Sequence, residues 1–394
     1  MKNFKILREK LMNEKVQKSI WMIFMIIFFI FLYIFNSTLS YTKPADAPEK
    51  IVFEKAKVIK IISEKLDPDP NFANINIGKQ ELELEIISGE NSGKTIILNN
   101  FIGRVDNKPA KMGTKLVISS FDGFITGIIV NYSREGWINV LVLLFMFVLL
   151  LFGKSKGIKA IVSLVFTMIC IIFLFIPMII RGVNPIVASI FIVILSTIVT
   201  MLSLNGLSKK TIVASLSCIL GTMIAGIIAY IFGDLTNVST YNTAEAEDLL
   251  FVASNTFLQV KDLLFAGILI ASLGAVMDTT MSITSSAFEM YELNPDITST
   301  QIFKSCMNVG KDVMGTMTNT LILAFTGSSI NILIIYFMYN MPYLQLINID
   351  LIVIEIIQGL SGGIAIVLAT PITAFACSKL IGKKPIYDIK ENSI

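Results

Sequence analysis

Long apolar runs dominate the chain and predict helices that cross a membrane. A span needs about 20 mostly apolar residues, and the first run predicts a membrane anchor at residues 20–37. After Trp137 the chain is almost entirely apolar. The further predicted spans are 137–152, 158–180, 185–204, 211–232, 263–283, 312–339 and 351–377. They form a predicted seven-helix membrane domain over residues 137–378, so we expect a polytopic α-helical protein with about eight transmembrane helices.

Residues 41–134, between the anchor and the second span, follow a different pattern. Charged residues return, and short runs such as Glu81–Ile86 and Thr95–Leu98 alternate between polar and apolar positions. Alternation with a period of two, punctuated by Gly, Asn and Pro, is typical of half-buried strands. We therefore expect a small all-β domain of about five or six strands. It contains no cysteine, so its core must hold it together.

The apolar run at residues 20–37 has two interpretations. It is an uncleaved anchor, or it is the hydrophobic region of a signal peptide cleaved after Ser40. The run is long for a signal peptide, and the basic segment before it, residues 1–19, is unusually extended. These features favour the anchor.

The distribution of Lys and Arg predicts the orientation of the spans, because short cytoplasmic loops carry an excess of these residues. With about eight crossings, every basic cluster falls on one side. The segments on that side are the tail 1–19, three loops around Lys156, Lys209 and Lys304, and the tail 379–394. Both termini are then cytoplasmic. The β domain and the acidic loop 233–262 lie on the outer side.

Composition narrows the possible functions. Of 394 residues, 54% are hydrophobic and 15% are charged, with a mean hydropathy of +0.74; soluble domains average about 25% charged residues. The chain has no histidine, which excludes imidazole general bases and histidine-ligated zinc. Its four cysteines form no CxxC pair. A net charge of +3 does not indicate nucleic acid. We expect no metal, no cofactor and no enzymatic reaction.

One glycine-rich segment, Gly89–Thr95, superficially resembles a phosphate-binding loop. A P-loop has four residues between its first glycine and the Gly-Lys pair, whereas this segment has three. It also joins two predicted strands, with no helix after it whose N-terminus would bind phosphate. The segment is therefore interpreted as a β-hairpin turn.

The sixth predicted span carries a stripe of small and polar residues. The stripe consists of Gly267, Ala271, Gly274, Asp278, Ser282 and Ser285, each three or four residues after the one before. This spacing places them on one helical face. A carboxylate inside a bilayer is costly and is expected to face a partner or water. A simpler alternative places Asp278 among hydrated headgroups.

Two further spans carry similar stripes. Asp312, Thr316 and Asn319 share a face of the seventh, next to Lys311, and Glu355, Gln358 and Gly362 share a face of the eighth. We expect the three stripes to pack together into a polar interface, although helix packing alone explains most small residues. The candidate solute or ion path comprises Asp278, Ser282, Lys311, Asp312, Thr316, Asn319, Glu355 and Gln358. The candidate packing glycines are Gly267, Gly274, Gly315 and Gly362.

Three segments, 274–283, 310–321 and 362–373, resemble hallmark segments of the YibE/F family of bacterial multi-pass membrane proteins. The outer turn at 88–93 is similar to part of that family's β domain, and the resemblance extends from about Lys50 to Lys379. The lysine-rich tail after Gly382 departs from it. The resemblance implies a bacterial cell membrane and this architecture, but no particular reaction.

Three functions compete at this point. The first is a permease for a small solute or ion, although no inverted repeat is visible. The second is a non-catalytic membrane component whose outer β domain binds a protein partner. The third is an intramembrane aspartyl protease that uses Asp278 and Asp312. The protease is disfavoured because the segment Val309–Asp312 lacks the GxGD pattern and because Lys311 favours an ionised neighbour.

Overall fold

A computed structural model describes residues 14–38, 51–72, 74–105, 107–120 and 127–382. The chain divides into two compact units. One is Lys43–Phe152, which contains the β domain, and the other comprises Met1–Thr42 and Gly153–Ile394. Most of the two predicted cytoplasmic tails, 1–19 and 379–394, lies outside the described residues, which begin at residue 14 and end at residue 382.

The β domain is one antiparallel sheet of five strands. The strands are Val52–Pro68 (β1), Asn76–Ile86 (β2), Thr95–Ile102 (β3), Lys115–Ser120 (β4) and Ile128–Tyr132 (β5). Their order is β3-β2-β1-β4-β5, and the sheet curls far enough for β3 to contact β5. Alternate residues such as Leu82, Leu84, Leu98 and Ile118 fill its core. The predicted small all-β domain is confirmed.

The glycine-rich segment after β2 is a hairpin turn. Glu85 pairs with Thr95, and the Gly93 N–H donates to the Ile86 carbonyl at 2.8 Å. Gly89 and Gly93 have φ angles of +76° and +88°, a region that residues with a Cβ rarely adopt. A strand follows the turn, as the hairpin interpretation requires.

An ion pair between buried Asp69 and half-exposed Arg104 joins two loops of the β domain. Asp69 is 3% exposed, and its Oδ2 accepts a hydrogen bond from the Arg104 Nε. Its Oδ1 accepts from the backbone N–H groups of Asn71 and Phe72 at 2.8 and 3.2 Å. The hydrogen bond from Arg104 is the main cause of the lowered pKa of Asp69.

The rest of the described chain is helical. The helices are Glu14–Ser37 (α1), Glu135–Cys170 (α2), Ile176–Ile180 (α3), Pro185–Asn205 (α4), Lys209–Leu235 (α5), Ala246–Ser254 (α6), Leu263–Leu293 (α7), Ser299–Ser328 (α8), Ile330–Met338 (α9), Tyr343–Leu346 (α10) and Asp350–Ile381 (α11). A π-helical turn, Ile171–Phe175, joins α2 to α3. Local sequence sets several ends: Asn184, Ser208 and Thr298 each cap a helix N-terminus through a side-chain oxygen.

Five helical stretches within the described residues are long and apolar enough to cross a membrane, and the bent pair α8–α9 makes a sixth. The prediction of about eight spans is therefore not confirmed. Two places account for the difference. Glu135–Ile180 is one stretch of 46 residues where two spans are predicted, and α1 is counted as a shorter apolar helix over Met22–Ser37.

Helix α11 lies at the centre of the helical core and packs against α5, α7 and α8. Small residues permit these contacts, since a methyl group at Gly221 would overlap Val276 of α7 and Ala369 of α11. Several buried hydroxyl groups are satisfied within their own helices. Ser272 and Thr373, for example, donate to the carbonyl four residues earlier at 2.7 Å. By contrast, the hydroxyl groups of Ser196, Ser217, Thr222 and Thr318 have no hydrogen-bond partner among the described residues.

Candidate functional site

The predicted stripe on α7 faces away from the helical core. Asp278, Ser282, Gly267 and Gly274 are all exposed, and no described atom lies within 4 Å of a Cβ built on either glycine. The opposite face, which includes Val276, is buried. The stripe therefore does not pack against another described helix of the same chain, contrary to the expected three-stripe interface.

The polar residues of α8 are exposed in the same way. Lys311, Asp312, Gly315, Thr316 and Asn319 are all exposed, and Gly315 also meets open space. The opposite side of α8 packs into the helical core. Its residues there are Gly310, Met314, Met317 and Leu321. The Thr316 hydroxyl donates to the Val313 carbonyl at 2.9 Å, so it is satisfied within its helix. Among the described residues, neither Lys311 nor Asp312 forms an ion pair.

The two exposed stripes lie at nearly the same level of the helical unit. A Cβ on Gly310 of α8 would lie 3.2 Å from the Ile283 Cδ1 of α7, which fixes the register of these antiparallel neighbours. Asp278 is five residues from Ile283, and Asp312 is two residues from Gly310 in the same direction. At 1.5 Å per residue, their levels differ by about 5 Å. Carboxylates and an ammonium group thus share one layer, midway along both helices.

The predicted stripe of α11 has different surroundings. Glu355 and Gln358 are half-buried, and Gly359, Gly362 and Gly363 are buried. A methyl group on Gly362 would overlap Leu321, and one on Gly363 would lie 3.0 Å from the Thr318 side chain. This glycine face therefore lets α11 lie close to α8, but it meets the buried side of α8 and not the side that carries Asp312.

Glu355 lies next to a break that the sequence analysis did not identify. Helices α8 and α9 meet at Ser329 with a bend of 61°. A cavity of about 350 Å³ beside the break is lined by Thr326, Ser329 and Glu355 among mostly apolar side chains. The Ser328 Oγ lies 3.3 Å from Glu355 Oε1, while Glu355 Oε2 is buried without a hydrogen-bond partner. The only local signal was the run Gly327–Ser329 inside an apolar segment.

Comparison with known proteins identifies the helical part of the chain. A family model described as "YibE/F-like protein" matches residues 141–383, more than half of the 394 residues. The matched residues include α7, α8 and α11 and exclude the β domain. Neither a curated protein nor a solved structure matches the chain. On the extent of the family match, the chain belongs to the YibE/F-like family.

Proposed function

We propose that this multi-pass membrane protein is a permease whose solute or ion path follows the exposed polar residues of α7 and α8. These residues are Asp278 and Ser282 of α7, and Lys311, Asp312, Thr316 and Asn319 of α8. We define them as the polar face. Glu355 and Gln358 lie on the other side of α8 and are not part of this face; in this proposal they belong to a separate part of the path, and the protein carries out no enzymatic reaction.

The observation that carries the proposal is the position of the charged groups. Lys311, Asp278 and Asp312 lie midway along helices of 30 and 31 residues, on surfaces that no described helix covers. The predicted spans 263–283 and 312–339 place these groups toward the cytoplasmic end of the hydrocarbon core, where a charge surrounded by lipid is costly. Three such groups in one layer are tolerated if water or a polar solute reaches them, as in a transport path.

The proposal includes about eight crossings with both termini in the cytoplasm of a bacterium. At 1.5 Å per residue, the 46 residues of Glu135–Ile180 would extend for about 69 Å, more than twice the thickness of a hydrocarbon core. Lys154 has a non-helical backbone, with φ 45° and ψ −126°. In this proposal the chain turns at this kink, so that the stretch makes two crossings.

Flux through the purified protein tests the proposal. The full chain is reconstituted into liposomes and screened with an entrapped pH-sensitive dye and with labelled ions and small solutes. Asp278→Asn and Asp312→Asn should each reduce the flux about tenfold or more, which corresponds to about 1.4 kcal/mol. Glu292→Gln, an exposed carboxylate in the last turn of α7, is the matched control and should leave flux unchanged. Normal flux in both Asn variants would contradict the assigned path.

A second function is favoured by the separate β domain. That domain has its own core, and the family match does not include it, which suits a membrane component that recruits a protein partner. A pull-down with residues 41–134 tests this alternative. Specific capture of one partner, combined with no flux in the liposome screen, would favour the component over the permease.

A further inference from the structure

The exposed surface of α7 and α8 lacks the large apolar side chains that are typical of a surface in contact with lipid. In α7, all of whose residues the structure describes, no large apolar side chain before Leu293 is exposed, and in α8, which is also fully described, the first exposed one is Ile322. Helix α5, by contrast, exposes Leu216, Leu220 and Ile227. Lipid tails favour apolar surfaces such as that of α5, so the exposed side of α7 and α8 is suited to water or to another protein surface.

An exposed row of small residues lies beside the polar face. It consists of Gly267, Ala271 and Gly274 of α7, and we call it the small-residue row. A Cβ built on either glycine meets no described atom within 4 Å. Small residues are typical of helix contacts in membranes because they let two backbones approach closely. The row continues into the polar face at Asp278, so a surface suited to close contact adjoins one suited to water.

We propose that a second copy of this chain covers this surface and that the transport path runs between the two copies. The same distribution of Lys and Arg orients both copies, so the axis of a symmetric pair is perpendicular to the membrane. Rotation about such an axis preserves depth. The two small-residue rows meet at the axis, while Gly315 and Thr316 of α8 line the path beside this contact and face water. The location of the path rests on the proposed permease, whereas the pairing does not.

The charges of the polar face favour a second copy as the occupant. Each copy brings the ammonium group of Lys311 and the carboxylates of Asp278 and Asp312 to one layer, and none of the three forms an ion pair among the described residues. Lys311 and Asp312 are consecutive in a helix and therefore do not face each other. In the pair, the two layers lie at the same depth, so Lys311 of one copy faces carboxylates of the other. The predicted span 137–152 contains no charged residue and would offer no counter-charge.

Cross-linking in membranes tests the contact. In the full chain with its native cysteines replaced, Ala271→Cys introduces one thiol on the small-residue row, and the control Val367→Cys introduces one on an exposed apolar surface of α11. A short, membrane-permeant bifunctional thiol reagent should join two Ala271→Cys chains into a species of twice the 43.6 kDa chain mass. Val367→Cys should remain a single chain. Two differently tagged copies, expressed together, show whether both cross-linked chains are this protein.

Three cross-linking results would overturn the proposal. They are no cross-linked Ala271→Cys, equal cross-linking of Val367→Cys, and a cross-link from Ala271→Cys to a different protein. In the last case that protein would be the occupant of the surface.

A bulky residue on the small-residue row provides a second test. Because a Cβ on Gly274 meets no described atom, Gly274→Trp should preserve the fold of one chain and block the approach of the second. Light scattering of the purified protein should give the mass of two chains for wild type and for the control Val367→Trp, and of one chain for Gly274→Trp. A folded Gly274→Trp with the mass of two chains would contradict the contact. If this variant does not elute as a folded species, cross-linking alone decides.

The pairing and the permease can fail separately. Pairing without flux in the liposome screen would retain the interface and remove the permease. Gly274→Trp should lose flux together with the second copy, whereas Val367→Trp should retain it. Normal flux through single-chain Gly274→Trp would retain the permease and overturn a path between two copies.

Discussion

Gly310 and Gly315 are five residues apart on α8 but have opposite surroundings. A methyl group on Gly310 would overlap the Thr370 side chain of α11, whereas one on Gly315 would meet no described atom within 4 Å. Overpacking typically costs about 1–3 kcal/mol, and replacing Gly by Ala in a helix otherwise gains up to about 1 kcal/mol. We predict that Gly310→Ala lowers the thermal stability of the purified protein and that Gly315→Ala leaves it unchanged or raises it.

Thermal unfolding of both variants in the same detergent provides the comparison. Equal stability of the two would show that α8 does not pack on α11 as the structure has it. A loss of stability in Gly315→Ala would indicate instead that another surface covers the exposed side of α8.

The sequence predicted which residues share a helical face but not which face is buried. Spacing of three and four residues places Gly274, Asp278 and Ser282 together whatever surrounds the helix. Burial depends on the neighbouring helices. Polar residues alone do not identify the exposed face of α7, because its buried side also contains hydroxyl residues. Ser272 and Thr284 lie there at low cost since they donate to carbonyls of their own helix.

Among the elements, the β domain was the most predictable. Alternating residues identify one end of each of β2 and β3, because one face is buried and the other is not, but both strands are longer than the predicted runs: β2 begins at Asn76 and β3 ends at Ile102. The alternating run Val58–Ile62 predicts only the middle of β1, which pairs with β4 near its start and with β2 along most of its length. The run Phe124–Val130 predicts a last strand, whose end is present in Ile128–Tyr132, while residues 121–126 lie outside the described part of the chain.

We predict that residues 50–132 fold alone, without metal or disulfide, because the sheet has its own buried core. The purified segment should give a β-type circular dichroism spectrum and a cooperative thermal transition. A random-coil spectrum would show that the domain needs the membrane part.

We also predict that this segment is less stable in acid because of Asp69. Its pKa is lowered in the folded state, so below about pH 4 the unfolded chain binds a proton that the folded domain does not. Asp69 therefore contributes stability above this range, and the contribution is lost as the pH falls. Urea unfolding at several pH values should show a smaller acid-induced loss in Asp69→Asn than in wild type. The exposed control Asp67→Asn should behave as wild type, and equal losses in all three would contradict the role of the Asp69–Arg104 pair.

The helix break was harder to predict than the strands. An apolar run at 312–339 predicts one straight span, but the structure has a helix from Ser299 to Ser328 and a second from Ile330 to Met338. The start follows from Thr298, whose side chain caps the helix in a reciprocal pair with Gln301. No proline lies at the bend, and its local signal is the run Gly327–Ser329, since pairs of Gly and Ser are a common cause of kinks.

For the whole molecule, the distribution of basic residues predicts an outer β domain and a cytoplasmic C-terminus. Cysteines introduced at Ser92 and Ser393 should then react oppositely with an impermeant thiol reagent on intact cells. The native Cys170, Cys218, Cys306 and Cys377 are buried, so their background should be low. Reaction of both introduced cysteines from outside would contradict a cytoplasmic C-terminus.

Water accessibility of the polar face is the most direct test of the central claim that it lines a transport path. In the full chain with its native cysteines replaced, Ser282→Cys and Thr316→Cys introduce single thiols on that face. As a control, Val367→Cys introduces a thiol on an exposed apolar surface of α11. Val367 lies at nearly the same level as Thr316, because α11 and α8 contact each other at Thr370–Gly310 and at Gly363–Thr318. The account predicts that a water-soluble thiol reagent modifies the first two cysteines in membranes and leaves the third unmodified. If Ser282→Cys and Thr316→Cys react no faster than Val367→Cys, the polar face is dry and the permease path proposed here is wrong.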